Sequence, residues 1–500
     1  MLSEIHSIAL EGPVALPVRI DVSSTSGLRF TLVGASEPTL RECQKRIRAA
    51  LLAIGMRWPG RQITAAFSPA DRRYEGASFD LPLALGVLLA SGKIPSRFQK
   101  IWAMGEIQLN GQVAQTRGSA AFVYAAQKAN AEVILLPHKA SAEWESTEGV
   151  VFVENLRQAV DFFQTGVKPK PSLEKAPLAP DPKPFLWDSI KGQEAAKWSL
   201  LYAALGGHHT LLVGPPGIGK SLLAKSLGEL ISSPTPTQSA EILAIYSAMG
   251  RLDEWPGKQR RPFRAPHPSI SATALVGGGH PIQPGEISLA HQGILFLDEW
   301  AEISSSALEA LRKPLEEGEI RIGRAGRGLS FPARFQLIAA TNACPCGPSS
   351  ICHCSRSQIE RYRRRFSGPL MDRMGIIVHL ENKRRSQPHT VEEPEASLSL
   401  SQVKILLRNA QGIKEKRHAS VGYDRSVQNS DVPLSRLLDV LLATPEALEV
   451  MDRASRKRNL SHRSVHQLFR LARTVADVEG KLKMSGHHVV KALNHFQQPM

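Results

Sequence analysis

Apolar positions follow two rhythms along this chain, one of period two and one close to 3.6. Residues 14–22 and 28–33 are strand-like runs separated by serine, threonine and glycine. Over residues 39–56 the period becomes helical, with Leu40, Cys43, Ile47, Leu51 and Ile54 on one face. Cys43 shares that face and reads as core. Residues 61–67 predict another strand. The apolar run after Asp80 predicts a buried helix starting near Pro82, because a first turn tolerates proline. Asn110-Gly111 between apolar stretches marks a hairpin turn, and residues 133–136 read as a buried strand. Residues 1–165 are expected to form a mixed α/β domain.

Lysine and proline then dominate residues 166–184, the signature of an extended linker. A globular pattern resumes at Phe185, and residues 187–206 predict a strand, a turn and a helix. Three short apolar runs, at 209–213, 293–297 and 334–341, read as fully buried strands. Residues 384–399 read as a loop. From about Leu434 the period is helical, most clearly over 460–477, where Val465, Leu468, Phe469 and Ala472 form a packing face. The expected class is multidomain α/β: an α/β domain over 1–165, a linker over 166–186, an α/β core over 187–385, and a loop with a helical lid over 386–500.

The first of the three buried runs feeds Gly214-Pro215-Pro216-Gly217-Ile218-Gly219-Lys220-Ser221, and a helical pattern follows at once. This fits the phosphate-loop spacing G-x-x-x-x-G-K-[ST]. Glycines let backbone N–H groups turn toward phosphate oxygens, and the helix N-terminus adds its positive dipole end. Lys220 is expected at the β- and γ-phosphates of ATP, and Ser221 at Mg²⁺. The second run ends in Asp298-Glu299. Two acids after a buried strand, roughly eighty residues beyond a phosphate loop, suit Mg²⁺ binding by Asp298 and activation of the attacking water by Glu299. The third run ends at Asn342, a polar tip able to orient that water.

Composition narrows the partners. The 500 residues exceed one core, so two to four domains are expected. A formal net charge of +16 and a pI near 9.8 suit a polyanion, nucleic acid first and an acidic membrane surface second. No run approaches a membrane span, and the start of the chain lacks a basic segment followed by an apolar one. Five cysteines, four of them clustered, do not resemble a secreted disulfide framework. The cytoplasm is the expected compartment.

The clustered four are Cys344, Cys346, Cys352 and Cys354, directly after the Asn342 strand. Four thiolates could hold a structural Zn²⁺ tetrahedrally, and His353 could replace one sulfur. A redox pair or free thiols on a loop are the alternatives. The run Ile359-Glu360-Arg361-Tyr362-Arg363-Arg364-Arg365-Phe366 is densely basic. It suits DNA or a solvated face at a subunit contact.

Two resemblances extend these readings. Residues 105–113 followed by a helix resemble the hairpin-and-helix segment of the Lon proteases. That resemblance puts the family's serine at Ser78 and its lysine near Ala120, where Gly118-Ser119-Ala120-Ala121-Phe122 offers none. A serine without a base is a poor nucleophile, so a non-proteolytic scaffold is expected. The core resembles the AAA+ ATPases, with Asn342 as their first sensor. Arg261-Pro262-Phe263-Arg264-Ala265-Pro266-His267, then residues 269–279 and Pro284-Gly285-Glu286-Ile287-Ser288-Leu289-Ala290-His291, are similar to the magnesium-chelatase-like group, in particular the bacterial ComM (YifB) type. Pro268 stands where that group has a second histidine.

This resemblance implies a ring, a hexamer in the expected case, that translocates DNA as a helicase or branch-migration motor during DNA uptake and recombination. It implies a pore hairpin carrying Arg321, Arg324 and Arg327, suited to phosphate contacts. It implies Arg373 completing the neighbour's ATP site in trans, and Arg463 as a second sensor touching the γ-phosphate in cis. Rival functions are a chelatase motor subunit inserting Mg²⁺ into a porphyrin, a Lon-like ATP-dependent protease, and a non-catalytic DNA-binding ring.

Overall fold

The computed structural model describes residues 2–496 except 12–13, 35–36, 71–73, 75, 139–143, 145–146, 170–185, 280–282, 325–326, 347–351, 353, 367–369, 381–397 and 425–426. Most of the expected linker, His353, most of the loop expected over 384–399, and the last four residues lie outside this set. The chain divides into two compact units, Met1–Asp181 with Pro236–Trp255, and Pro182–Thr235 with Pro256–Met500.

The first unit is a seven-stranded mixed sheet with helices. Its elements are β1 Leu2–Glu11, β2 Val14–Thr25, β3 Phe30–Val33, α1 Glu37–Ala53, β4 Gln62–Ser68, α2 Asp80–Ala90, β5 Ile101–Ala103, β6 Glu106–Ile107, β7 Val113–Ala114, α3 Ser119–Lys128, β8 Val133–Pro137, β9 Val150–Val153 and α4 Leu156–Thr165. The strand order is β3-β4-β2-β1-β5-β8-β9, and β6 and β7 form a separate hairpin. That hairpin turns at Gly111, whose φ of +84° a side chain would resist. The strand β1 escaped the sequence reading. Its core face presents Ile5 and also Ser7, fully buried, and the buried serine breaks the apolar alternation.

The second unit begins with α5 Leu186–Ser189 and α6 Glu194–Gly206. Residues 186–189 form a helical turn and not the expected strand. The Glu229 carboxylate accepts the backbone N–H groups of Leu186 and Trp187 at 2.9 and 3.0 Å, which caps the turn. Then come β10 Thr210–Val213, α7 Lys220–Leu230 and α8 Pro236–Ala248. Helix α8 packs in the first unit, although the sequence reading assigned its residues to the core. Its Ile242, Leu243, Ile245 and Tyr246 are buried, and the Ser247 hydroxyl accepts the Ala120 N–H at 3.2 Å. The position where a Lon-type lysine would stand is thus a buried alanine against a serine.

The remaining elements are β11 Phe263–Arg264, α9 Ala272–Val276, β12 Gly277–Gly278, β13 Gln283–Pro284, α10 Glu286–Leu289, β14 Ile294–Leu297, α11 Ser305–Ala310, α12 Arg312–Glu317, β15 Glu319–Arg324, β16 Arg327–Pro332, β17 Gln336–Thr341, α13 Arg356–Arg364, β18 Ile376–His379, α14 Leu400–Ser420, α15 Leu434–Leu441, α16 Pro445–Arg458, α17 His462–Val478 and α18 Gly486–His495. Five strands form one parallel sheet in the order β11-β14-β17-β10-β18. The period of two divides its core. Leu212, Ile294, Phe296, Ile338 and Ala340 pack with α6, α7 and the C-terminal helices. Leu211, Val213, Leu295, Leu297, Leu337 and Ala339 pack on the other face, with Trp300, Phe331 and Met371. Burial on both faces is why these strands read as continuous apolar runs. All five strands point one way, so the loops after β10, β14 and β17 gather at one edge, where open α/β sheets bind ligands. Among the described residues no helix is long and apolar enough to cross a membrane.

Candidate nucleotide site

The loop after β10 is shaped by close approach and by backbone hand. A side chain at Gly214 would stand 2.8 Å from Leu380 Cβ. Gly217 and Gly219 have φ of +76° and +95°, in the left-handed region. Gly219 is the N-cap of α7, so the first helical N–H groups open toward the loop. Space beyond Gly217 and Gly219 is clear, and a Cβ at either would meet no atom within 4 Å. This is a cradle of donors with one buried cation, and it fits a polyphosphate. Pro215, Pro216 and Ile218 occupy the loop's turn as expected from the motif.

Lys220 is 9% exposed. Its ammonium donates to Gly214 O at 2.7 Å, Pro215 O at 3.0 Å and Asn342 Oδ1 at 2.9 Å. Burial lowers its pKa, and the Asp298 and Glu299 carboxylates pull it back up. The Ser221 hydroxyl donates to Asp298 Oδ2 at 2.6 Å. A hydroxyl and a carboxylate oxygen in contact are hard oxygen donors suited to Mg²⁺ held by few protein ligands and by phosphate. Asp298 Oδ1 accepts the Glu299 N–H at 2.9 Å. Glu299 has φ 47° and ψ 48°, left-handed for a residue with a side chain, and it is exposed. This backbone is uncommon for a residue with a side chain, and Gln193, Gln292 and Leu442 share it here. Thus Lys220, Ser221, Asp298 and Asn342 meet at the carboxyl edge, with Glu299 beside them.

Tyr362 is a further residue of this cluster that sequence reasoning missed. Its hydroxyl donates to Asn342 O at 2.8 Å and lies 3.0 Å from Thr341 Oγ1. Burial raises its pKa, keeping the phenol a donor. The only signal in the sequence was an aromatic residue inside a basic run.

The two arginines lie elsewhere. Arg373 precedes β18, and β18 runs parallel to β10 from Thr210↔Ile376 to Val213↔His379. Gly375 N–H donates to His209 O at 2.9 Å, so Arg373 sits at the amino edge of the sheet. The span from His209 to Gly214 is about 16 Å, beyond an arginine's reach. Arg373 is 5% exposed and pairs with Glu316. Arg463 donates to the same carboxylate at 2.8 Å. The arginine bonds, Arg463 first, hold the Glu316 carboxyl below its ordinary pKa. Burial, then the Arg463 charge, lowers that of Arg373. Arg463, expected at the γ-phosphate in cis, is thus bonded to Glu316 beside Arg373. Glu316 had no signal in the sequence, being 57 and 147 residues from its partners.

The sulfurs of Cys344, Cys346, Cys352 and Cys354 all lie within 4.8 Å of one another. In the hairpin β15–β16, Glu319 pairs with Pro332 and Arg324 with Arg327. The Arg321 side chain is 71% exposed and bonded to Glu319. The side chains of Arg324 and Arg327, and Ala325-Gly326 at the tip, lie outside the described residues. In α13, Arg361, Arg363, Arg364 and Arg365 at its end are exposed. Within the 261–291 stretch, Arg264 donates to Glu286 at 2.7 and 2.9 Å, and Arg261 donates to Gln292 O at 2.7 Å.

Residues 187–388 match the family of the magnesium chelatase subunit ChlI, residues 18–140 that of subunit ChlI of Mg-chelatase, and residues 399–495 that of the ChlI C-terminal region. The chain is 34% identical to the competence protein ComM of Haemophilus influenzae, over 99% of this chain and 97% of that protein. It is 33% identical to the uncharacterized protein YifB of Escherichia coli, again over 99% and 97%. Similarity to the magnesium-chelatase 67 kDa subunit of Chlorobaculum parvum is 27% and covers 30% of this chain and 22% of that protein.

Proposed function

Because the chain belongs to the AAA+ magnesium-chelatase-like family of the ComM and YifB type, we propose that it is a ring-forming ATPase that moves DNA. The observation that carries this is the division of charge between the sheet's edges. Lys220, Ser221, Asp298 and Asn342 gather at one edge, and Arg373 and Arg463 gather at the other.

ATP binds in the loop 214–221. Lys220 leaves Asn342 Oδ1 and the loop carbonyls for the β- and γ-phosphate oxygens. Ser221 and Asp298 hold Mg²⁺, which when bound neutralises charge on those oxygens. Glu299 takes a proton from the attacking water, and Asn342, freed from Lys220, orients that water. Arg373 and Arg463 of a neighbouring subunit turn from Glu316 to the γ-phosphate and stabilise the charge developing there. Hydrolysis thereby requires a ring, and a hexamer is the form proposed. The domains are read as a Lon-like, non-proteolytic first domain, an AAA+ core and a helical lid, in a cytoplasmic protein.

The DNA substrate rests on the net charge of +16, on the hairpin bearing Arg321, Arg324 and Arg327, and on the competence protein among the relatives. Helicase or branch-migration work during DNA uptake and recombination is the role we assign. A chelatase motor shares the core, but the magnesium-chelatase 67 kDa subunit is similar over 30% of this chain and the competence protein over 99%. The proteolytic reading is opposed by the buried Ala120. The test is ATP turnover with and without forked or four-way DNA at two salt concentrations. DNA should stimulate turnover, and salt should weaken the stimulation as phosphate contacts are lost. Turnover indifferent to every DNA at low salt overturns the DNA reading.

A further inference from the structure

The cysteine cluster lies between two parts of the candidate ATP site. Asn342 ends the strand run two residues before Cys344, and α13, which carries Tyr362, begins two residues after Cys354. Tyr362 reaches back to Asn342 O at 2.8 Å. The stretch between is therefore a closed loop whose two ends meet at the residue read as orienting water.

Little in that loop explains its shape. Among its described residues, Ala343 to Ser355, none is buried, so apolar burial does not fold it. Yet four sulfurs converge. Cys344 Sγ is 3.3 Å from Cys352 Sγ, 3.5 Å from Cys354 Sγ and 3.4 Å from Cys346 Sγ, and Cys346 Sγ is 3.8 Å from Cys352 Sγ. Zinc–sulfur bonds of about 2.3 Å in a tetrahedron put the sulfurs about 3.8 Å apart. A disulfide would need about 2.05 Å. The four separations, 3.3 to 3.8 Å, are near the tetrahedral value and far from a disulfide, and all four sulfurs lie within 4.8 Å of one another.

We propose that Cys344, Cys346, Cys352 and Cys354 bind one Zn²⁺ per chain, and that this ion positions Asn342 through α13 and Tyr362. On binding, four thiols release four protons to solvent and four thiolates bond the ion, leaving a net charge of −2. The basic helix α13 follows directly and supplies compensating charge. Its N-terminus is fixed independently by a Ser355–Gln358 capping box. Metal, cap and Tyr362 together hold a helix that has no buried residue among its nine. The cysteines have no open coordination position and the zinc does no chemistry on ATP. The positioning half of this inference rests on the reading of Asn342 as the water-orienting residue, and the metal half does not.

The experiment uses the full chain purified without chelator. Metal analysis should find about one zinc per chain, and Cys352→Ser with Cys354→Ser should abolish it. Replacement by Co²⁺ should give the visible bands of a tetrahedral thiolate site. The double variant should still bind a fluorescent ATP analogue with unchanged affinity, while kcat falls about tenfold. Tyr362→Phe should lower kcat similarly and keep its zinc, a split that general misfolding would not produce. A metal-free folded chain, or one whose mass shows two disulfides, overturns the site. Full zinc in the parent chain with kcat unchanged in both variants overturns the positioning role. Turnover that survives Lys220→Ala condemns the ATP-site reading instead, and leaves the zinc content to judge the metal alone.

Discussion

The two edges of the five-stranded sheet differ in what they lack. The carboxyl edge has a donor-lined cradle, one buried lysine and the acids, but that lysine is already engaged with Asn342 and two carbonyls. The amino edge has two arginines and no cradle, and the carboxylate of Glu316 holds both. Strand length separates the edges by about 16 Å. On the proposed function, one copy carries two halves of an ATP site facing apart, and a ring would bring the amino edge of one subunit to the carboxyl edge of the next.

Removing the buried cation at the carboxyl edge should have the largest effect. Lys220→Ala should reduce phosphate release to background, because nothing else in the loop offsets the β- and γ-phosphate charge. Glu299→Gln should come next, losing about 10⁴-fold in kcat while still binding ATP. Retained turnover in either variant breaks the assignment of this edge. Arg373→Ala should cost about 10³-fold in kcat with ATP binding kept. The comparison sharpens on mixing Arg373→Ala subunits with Lys220→Ala subunits. Interfaces that join an intact lysine to an intact arginine should recover activity. Mixed rings with no recovery at any ratio would remove Arg373 from the trans role.

How far the sequence foretold this arrangement follows from how local each feature is. The strands β10, β14 and β17 were legible because burial on both faces makes them unbroken apolar runs. The phosphate loop was legible because φ above zero demands Gly217 and Gly219. Both are properties of neighbours in the chain. Glu316 was not legible, since its meaning lies in Arg373 and Arg463 far along the chain. Without it, the sequence offers no sign that Arg463 pairs beside Arg373. Helix α8 was misassigned because its pattern says that it is buried, and does not say in which unit. Trp187 and its neighbours read as a strand because the cap from Glu229 is invisible locally.

Arg463→Ala tests the amino edge with a smaller effect. Part of the charge stabilisation would remain with Arg373, so a loss of about tenfold to a hundredfold in kcat is expected. Mixing with Lys220→Ala decides the geometry. If Arg463 served its own chain's ATP, no interface in a mixed ring would hold both intact groups, and mixing would restore nothing. If it serves the neighbour, as its bond to Glu316 beside Arg373 supports, activity should return in mixed rings.

The smallest effect separates the edges by pH. His208 and His209 lead into β10 at the amino edge, His208 buried and His209 half-buried, and desolvation lowers their pKa values to about 3 and about 4. Each is neutral in the folded chain and is held by a bond: His208 Nε2 lies 2.8 Å from Thr474 Oγ1, and His209 Nδ1 accepts the Leu337 N–H at 3.0 Å. The unfolded chain binds protons at both sites below the ordinary histidine value of 6.5. Their contribution to stability is thus complete above pH 6.5 and is lost progressively as pH falls toward their folded values. At pH 5 the loss is about 2 kcal/mol for each histidine. The second unit should melt several degrees lower at pH 5 than at pH 7. His209→Asn, which keeps an acceptor and removes the titration, should be less stable at pH 7 yet lose less on acidification. An acid-induced drop of equal size in that variant would show that the amino edge does not set the pH response.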